Sequence, residues 1–230
     1  MANHGYLPRD GRDINIDEFR SGIKNAYGYN ETTFDFAFNQ AVDFKLTTTG
    51  NASTFHLDDL KKHDLIEFDG SLSRNDIYFG DNLHFDPVIW ATTAERLRLY
   101  DLGPSKEDRY VTIEAAAKAR AARVKDAKMA NPQFNASANA LAGSPGTTAL
   151  YLTTLWDAEA GAVPKAWIRS FFGRLCKTPD VTPKLPCAGD ADERTEKERI
   201  PYILGYQKTP KNADDFNAIF EQVLAVPVDS

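Results

Sequence analysis

The sequence of 230 residues contains little of what usually builds thiol and imidazole sites. It has two cysteines, two methionines and four histidines; no Cys-x-x-Cys motif occurs, and no two histidines stand four residues apart. Zinc sites need such spacings, because their ligands must converge on one ion. The sequence therefore does not predict a zinc hydrolase.

Other catalytic signatures are also missing. There is no Gly-x-Ser-x-Gly elbow and no phosphate-binding glycine loop, and the turn formers Gly143-Ser144-Pro145-Gly146 predict a break between helices. No hydrophobic run approaches the length of a membrane span, and the first residues do not resemble a signal peptide. A net charge of -6 and a pI near 5.3 argue against nucleic acids and anionic membranes as partners. We predict a soluble chain.

Helical periodicity dominates what is present. Helix-starting signals occur at Asn15, Asn30, Asp86-Pro87, Thr112, Pro164 and Asn212, and no alternating strand pattern exceeds four residues. Thr147–Trp156 is the most apolar segment and is predicted to be central. The basic residues of the alanine-rich segment 113–130 are interpreted as a solvent-facing surface. The sequence predicts one compact all-α domain over 1–230, with about eight to ten helices.

A segment rich in proline and charge, 176–197, is interpreted as a loop insertion. Its two cysteines, Cys176 and Cys187, either close that loop as a disulfide or remain two idle thiols. Three N-glycosylation acceptor triplets favour a secreted protein, while a cytosolic location stays open. The triplets are Asn30-Glu31-Thr32, Asn51-Ala52-Ser53 and Asn135-Ala136-Ser137.

The segment from Ile66 to Asn82 carries the densest group of side-chain oxygens. Glu67 and Ser71 are four residues apart, so a helical turn would place both oxygens on one side, where backbone carbonyls could complete a site for a hard cation. Ser73 is predicted to cap a short helix that begins at Arg74. The alternative is a well-capped, solvated loop without a ligand.

Three segments, in this order, resemble the fungal haem-thiolate peroxidases, the family of chloroperoxidase and the unspecific peroxygenases. The first is Ala2-Asn3-His4-Gly5-Tyr6-Leu7-Pro8-Arg9-Asp10-Gly11-Arg12; the second is Glu67-x-Asp69-x-Ser71-Leu72-Ser73-Arg74-x-Asp76 with Gly80-Asp81-Asn82-x-x-Phe85; the third is Trp167-x-x-x-Phe171-Phe172, then Glu198-Arg199-Ile200-Pro201 and Gly205-Tyr206. The resemblance covers nearly the whole chain, and the all-α prediction agrees with the family's fold.

The resemblance implies a haem held by a cysteine thiolate, with a magnesium ion beside a haem propionate. By the family pattern, the side chains of Glu67 and Ser71 and the carbonyl of Phe68 would hold the magnesium, which offsets the propionate charge. His4, Phe68 and Ser71 are the positions expected to lie against the cofactor.

The chain departs from the family pattern at three functional positions. The family's Pro-Cys-Pro motif lies upstream of the Asn-His-Gly segment, and this sequence begins at Met1, downstream of it; the thiolate drives O–O cleavage in such sites. Shorter family members have histidine where Phe68 stands and glutamate where Thr147 aligns. These two residues move the peroxide proton in the family, and phenylalanine cannot do so. The chain would then be slow with peroxide or would depend on another acid, such as Asp69 or His84.

Two functions follow from this comparison. The first is a haem-thiolate peroxidase or peroxygenase that uses peroxide to oxidise a small hydrophobic or aromatic substrate. The second is a haem-free descendant whose pocket, lined by Phe68 and the 147–156 helix, binds a hydrophobic metabolite or transforms it by cyclisation or isomerisation.

Overall fold

A computed structural model describes residues 1–51, 53–135, 137–172 and 199–228, with the helix backbone but not the side chains of 138–142. The predicted insertion at 176–197, including Cys176 and Cys187, lies outside the described residues.

Within the described residues the fold is mostly helical. Its α-helices are α1 (Ile16–Tyr27), α2 (Asp35–Asp43), α3 (Pro87–Arg96), α4 (Ile113–Ala130), α5 (Ala138–Thr154), α6 (Lys165–Phe172) and α7 (Ala213–Leu224). Short 3-10 helices span Ala2–His4, Leu57–Lys61, Ile77–Phe79, Glu107–Arg109 and Tyr202–Leu204. Two antiparallel pairs join β1 (Ile14–Asn15) to β2 (Thr54–Phe55) and β3 (Tyr110–Val111) to β4 (Val163–Pro164).

Four helix starts confirm their capping predictions, whereas the helix predicted to start at Asn30 begins only at Asp35. Asn15 and Glu18 form the reciprocal capping box of α1, with bonds of 2.9 and 3.0 Å between each side chain and the other's backbone N–H. Asp86 accepts from the first turn of α3, Thr112 from Ala115 N, and Asn212 from the first turn of α7. Because each cap satisfies free N–H groups locally, sequence alone was sufficient to place these helix starts.

The predicted break at 143–146 is wrong, because these residues lie inside α5. Pro145 lacks the N–H that would extend the helical ladder. Thr147 Oγ1 donates to the carbonyls of Ser144 (2.9 Å) and Gly143 (3.2 Å), but neither of these is the carbonyl that loses its donor at Pro145. Close packing on the ring of Phe68 also favours a glycine at 143. Tertiary contacts therefore override the turn signal.

The segment around Ser71 is not helical either. Ser73 caps no helix at Arg74, whose side chain instead donates to the Ser73 hydroxyl over 2.9 Å. A short 3-10 helix begins only at Ile77. Several short segments form 3-10 helices rather than α-helices. The described residues therefore contain seven α-helices, slightly fewer than predicted. The all-α prediction itself is confirmed.

The core is centred on α5, which packs against α4 and α7. Its largest cluster buries Trp90, Leu97, Leu99, Leu152, Leu155, Ile168 and Val223. A smaller cluster of Leu7, Ile14, Phe38 and Phe55 lies under the β1–β2 pair. The central position predicted for the apolar segment 147–156 is thereby confirmed, and it places one face of α5 opposite the 66–73 loop.

Candidate functional site

A cavity of about 280 Å³, partly open to solvent, lies between the 66–73 loop and α5. Five residues singled out in the sequence line it: Glu67, Phe68, Asp69, Ser71 and Thr147. The remaining lining is apolar or hydroxylic apart from one cation: Leu60, Ile66, Gly70, Leu72, Ser73, Arg120, Ser144, Thr148, Tyr151 and Phe172. An apolar cavity with a few convergent polar groups is typical of a small-molecule site.

Glu67 is nearly buried and only half satisfied. Its Oε2 atom accepts hydrogen bonds from His63 Nδ1 (2.9 Å) and Asn82 Nδ2 (2.8 Å), while Oε1 has no partner among the described residues. Burial raises the pKa of Glu67, and the two hydrogen bonds oppose the rise only in part. The carboxyl can therefore hold a proton more readily than an exposed glutamate.

Asp69 is likewise buried with only one of its two carboxylate oxygens satisfied, and only 1% of its side chain is exposed. Its Oδ2 atom accepts from the backbone N–H of Asn135 (3.0 Å) and lies 3.8 Å from His63 Nε2. Its Oδ1 atom is buried without a partner among the described residues. The His63 imidazole thus lies between two carboxylates that both line the cavity, and sequence reasoning had missed it.

Phe68 is fixed against the backbone of α5. A Cβ atom built on Gly143 would lie 2.1 Å from Cε2 of the Phe68 ring, so only glycine permits this contact. The ring therefore forms an apolar wall of the cavity at the position where a proton-transferring group was sought.

Thr147 lines the cavity from α5, yet its hydroxyl proton is already engaged. As described above, Oγ1 donates to two carbonyls of the preceding helical turn. Its oxygen can still accept a hydrogen bond, but its proton is committed to the helix.

A buried network attaches the loop to α4. Asp76 Oδ1 accepts from Gly70 N (3.0 Å) and from Arg123 Nη2 (2.9 Å), and Asp76 Oδ2 accepts from Asn131 Nδ2 (3.1 Å). Arg123 Nε also donates to the carbonyl of Ser71 over 3.1 Å. The interpretation of the basic residues of α4 as solvent-facing is thus wrong for Arg123, which is 4% exposed. Its position on the alanine-lined face was the available signal.

The interpretation of the basic residues of α4 as solvent-facing is also wrong for Arg120. It is 5% exposed and lines the cavity, and among the described residues its one hydrogen bond is to the carbonyl of Val226 (3.3 Å). Tyr151 of α5, 3% exposed, lines the cavity as well, and its hydroxyl has no described partner. Neither residue was singled out from the sequence.

His4 is placed outside this lining. Its Nε2 atom accepts from the backbone N–H of Ile200 (3.0 Å), and its ring packs edge-on against Tyr202. Burial and the nearby charges of Arg199 and Arg9 lower the pKa of His4, which agrees with an unprotonated Nε2. The predicted cofactor role of His4 remains a prediction.

No cluster of three or more His, Cys, Asp or Glu side chains in the described part of the chain is arranged to hold a metal ion. The magnesium predicted at Glu67, Phe68 and Ser71 gains no support from this and remains a prediction. In the same part of the chain, no helix is both long and apolar enough to cross a membrane.

Sequence comparisons agree with the geometry. The family described as "Peroxidase, family 2" matches residues 1–212. The chain is 26% identical over 149 residues to an aromatic peroxygenase of Coprinellus radians, covering 59% of this chain and 55% of that protein. It is 29% identical over 106 residues to a chloroperoxidase of Leptoxyphium fumago, covering 41% of this chain and 28% of that protein. The chain therefore spans about half the length, or less, of these relatives.

Proposed function

We propose a function from the premise that this chain belongs to peroxidase family 2, the fungal haem-thiolate peroxidases. The proposed function is the oxidation of a small hydrophobic or aromatic substrate with peroxide. One observation carries the proposal. Residues of the family-like segment, Glu67 to Ser73, and of α5 meet around a single cavity that contains unsatisfied buried carboxylate oxygens. Such oxygens are typical of a site that receives a ligand.

The described lining residues could contact the ring and the acidic edge of a haem, but they include none of the usual thiolate, imidazole or thioether ligands of its iron. Phe68, Leu72 and Phe172 offer apolar surface to a planar ring, and Arg120 offers a charge to its acidic edge. The described lining contains no cysteine, histidine or methionine to ligate iron. We therefore propose that Phe68, Leu72 and Arg120 would contact a bound haem, whose iron ligand comes from outside this lining.

A bound haem would supply the two-electron oxidation, and the protein's own residues would manage the proton. Phe68 has no proton to give, and the proton of Thr147 is engaged by the helix. Glu67 and Asp69 remain, each with a buried oxygen that lacks a described partner. We assign Asp69 the role of accepting and returning the peroxide proton, because Glu67 is the position proposed for magnesium.

The first experiment is a titration of the purified chain with haemin, followed by peroxide-dependent oxidation of a small phenol. Asp69→Asn keeps an acceptor for Asn135 N, so haemin affinity should be unchanged while kcat falls by about 100-fold or more. Asp81→Asn is the matched control, because Asp81 forms an exposed pair with His84 (2.8 Å). Full turnover in Asp69→Asn would contradict the assignment.

The size of the cavity favours a second candidate function. About 280 Å³ is just below the usual range for ligand pockets, so a tetrapyrrole would have to extend through the open side. A haem-free chain could bind a small hydrophobic metabolite there, with Glu67 and Asp69 available for redox-neutral acid–base catalysis. Failure to bind haemin, together with saturable binding of a small aromatic molecule, would favour this alternative.

Magnesium and secretion belong to the same proposal. Magnesium at Glu67 should raise the melting temperature of the haem-loaded chain, and Glu67→Gln should abolish that effect.

For secretion, Asn30 is exposed and its side chain accepts from Thr32 N (3.1 Å) in a surface turn. Expression in a fungal host should yield a chain whose mass falls after deglycosylation, and Asn30→Gln should reduce that change.

A further inference from the structure

Arg120 is a buried cation that lacks a buried anion. Of the five N–H donors of a guanidinium, one has a described partner, the carbonyl of Val226, and Nε is buried without any. Burial alone lowers the pKa of Arg120, with no opposing influence from a nearby carboxylate. Glu67 and Asp69 line the same cavity but form no ion pair with Arg120.

An arrangement of this kind is unfavourable in a protein that binds nothing. Buried charges are normally paired, because desolvation of an isolated ion is not recovered elsewhere. Arg123, one helical turn further along α4, illustrates the usual solution: it is equally buried and pairs with Asp76 over 2.9 Å. Arg120 differs from Arg123 in that it borders a cavity.

Tyr151 supplies a second donor in the same lining. Its hydroxyl is buried without a described partner, whereas the buried hydroxyls of Tyr29 and Tyr206 both bond to Thr154. Burial strongly raises the pKa of Tyr151, which keeps the phenol protonated and able to donate. Arg120 and Tyr151 are thus two unsatisfied donors on one cavity.

We propose that Arg120 and Tyr151 form a subsite for the carboxylate group of a ligand whose apolar body packs against Phe68 and Phe172. A guanidinium presents its N–H donors in a fork that matches a carboxylate, and a phenol can donate to the same group. The inference deepens the proposed function, since it names a chemical group that the same cavity receives. That group is either a haem propionate or the acid group of a substrate.

A carboxylate suits this cavity better than a phosphate does. Arg120 is the one cation among the described lining residues, so it can neutralise the single charge of a carboxylate but not the second charge of a phosphate. The aromatic walls favour a ligand that is mostly hydrocarbon.

The test uses the haem-free chain with two probes, 3-phenylpropionate and its neutral amide, and measures binding by calorimetry. The wild type should bind the acid at least tenfold more tightly than the amide. Arg120→Met should weaken binding of the acid by about 10- to 100-fold and leave the amide unchanged. Lys125→Gln is the matched control, because Lys125 is an exposed cation on the same helix, and it should bind both probes like the wild type.

Removing an unpaired buried charge should not prevent folding, and the melting temperature of Arg120→Met checks this. Tyr151→Phe gives an independent variant that deletes one oxygen. It should weaken binding of the acid by about three- to tenfold. Two results would overturn a substrate-carboxylate subsite: equal affinity of the wild type for the acid and the amide, or unchanged affinity for the acid in both variants. The comparison of haemin with its dimethyl ester then decides whether the subsite receives a haem propionate instead.

Haemin and its dimethyl ester distinguish the two sources of the carboxylate. If the subsite receives a propionate, Arg120→Met should lower the affinity for haemin and not for the ester. If it receives a substrate, haemin affinity should stay unchanged while the affinity for 3-phenylpropionate falls. If Arg120→Met lowers neither the affinity for haemin nor the affinity for 3-phenylpropionate, the inference is overturned. A chain that binds the acid but never haemin would retain the subsite and refute the peroxidase function.

Discussion

The contact between Phe68 and Gly143 explains how one residue changes the character of the cavity. The ring lies directly on the α5 backbone, with its Cε2 atom where a Cβ at position 143 would fall. An aromatic wall stands where the resemblance led us to expect an imidazole, and Glu67 and Asp69 are the acidic groups of the described lining.

Gly143→Ala should destabilise the protein by about 1–3 kcal/mol, because the methyl group would overlap the Phe68 ring. Gly146→Ala is the control on the same helix. Its Cβ would meet only Phe220, at 3.9 Å, so better helix propensity should stabilise by up to about 1 kcal/mol. Urea unfolding measures both variants. Equal effects of the two substitutions would show that the contact does not constrain the helix.

The raised pKa of Glu67 predicts a pH dependence of stability. The folded protein holds this proton more tightly than the unfolded chain, so the contribution of Glu67 to stability falls as pH rises from its ordinary pKa of 4.5 through the folded value. Glu67→Gln cannot titrate. The free energy of unfolding of the wild type, minus that of Glu67→Gln, should therefore decrease across this window.

Urea unfolding at several pH values between about 4 and 8 would measure that slope. Glu114→Gln serves as the control, because the exposed Lys118 partner lowers the pKa of Glu114 and gives the opposite sign. A flat difference for Glu67→Gln would contradict the burial argument.

At the level of elements, α4 holds the loop that forms one side of the cavity. The pair Asp76–Arg123 is almost fully buried, and Arg123 also binds the Ser71 carbonyl. Loop 69–76 thus depends on a helix that follows it by some forty residues. No local signal in the loop could place it, because its hydrogen-bond partners are distant in sequence.

Arg123→Met should destabilise by about 3–5 kcal/mol, since it leaves the Asp76 carboxylate buried without its cation. The double variant with Asp76→Asn should lose less than the sum of the single variants. Lys118→Met, which removes the exposed Glu114–Lys118 pair of the same helix, should leave stability nearly unchanged. Additive losses in the double variant would argue that the two residues act independently.

At the scale of the molecule, Lys211 connects the end of α1 to the segment before α7. Its Nζ donates to the carbonyls of Tyr27 (3.0 Å) and Thr209 (3.2 Å), and it lies 5.8 Å from the centre of the Tyr29 ring. Backbone bonds from Lys211 N to Gly28 O and from Asn30 N to Lys211 O reinforce the connection. Segments far apart in sequence are thereby joined.

Burial lowers the pKa of Lys211 to about 8 from an ordinary value of 10.5. Above pH 8 the unfolded chain binds more protons at this residue than the folded protein, so its contribution to stability rises with pH. The stability of the wild type relative to Lys211→Met should increase between pH 8 and 10. Lys208→Met, at an exposed lysine bonded to Asn25 O (2.9 Å), should show no such increase. A parallel course of both variants would refute the prediction.

The sequence itself determined the helical class and the starts of α1, α3, α4 and α7. The functional roles expected for Glu67, Phe68, Asp69, Ser71 and Thr147 remain predictions, although all five residues line one cavity. Caps and periodicity act within one or two turns of chain, so the nearby residues carry the information. Resemblance supplied the site candidates, which belong to segments that the structure brings together.

Tertiary structure alone decided the rest. Pro145 stays inside a helix although it lacks an N–H, because long-range packing such as the close contact of Gly143 with the Phe68 ring favours the helical path. His63, Arg120 and Tyr151 acquire their roles from burial and from partners, or missing partners, far along the chain. The physical reason is that the cost of an unpaired polar group depends on its surroundings, and long-range packing creates those surroundings.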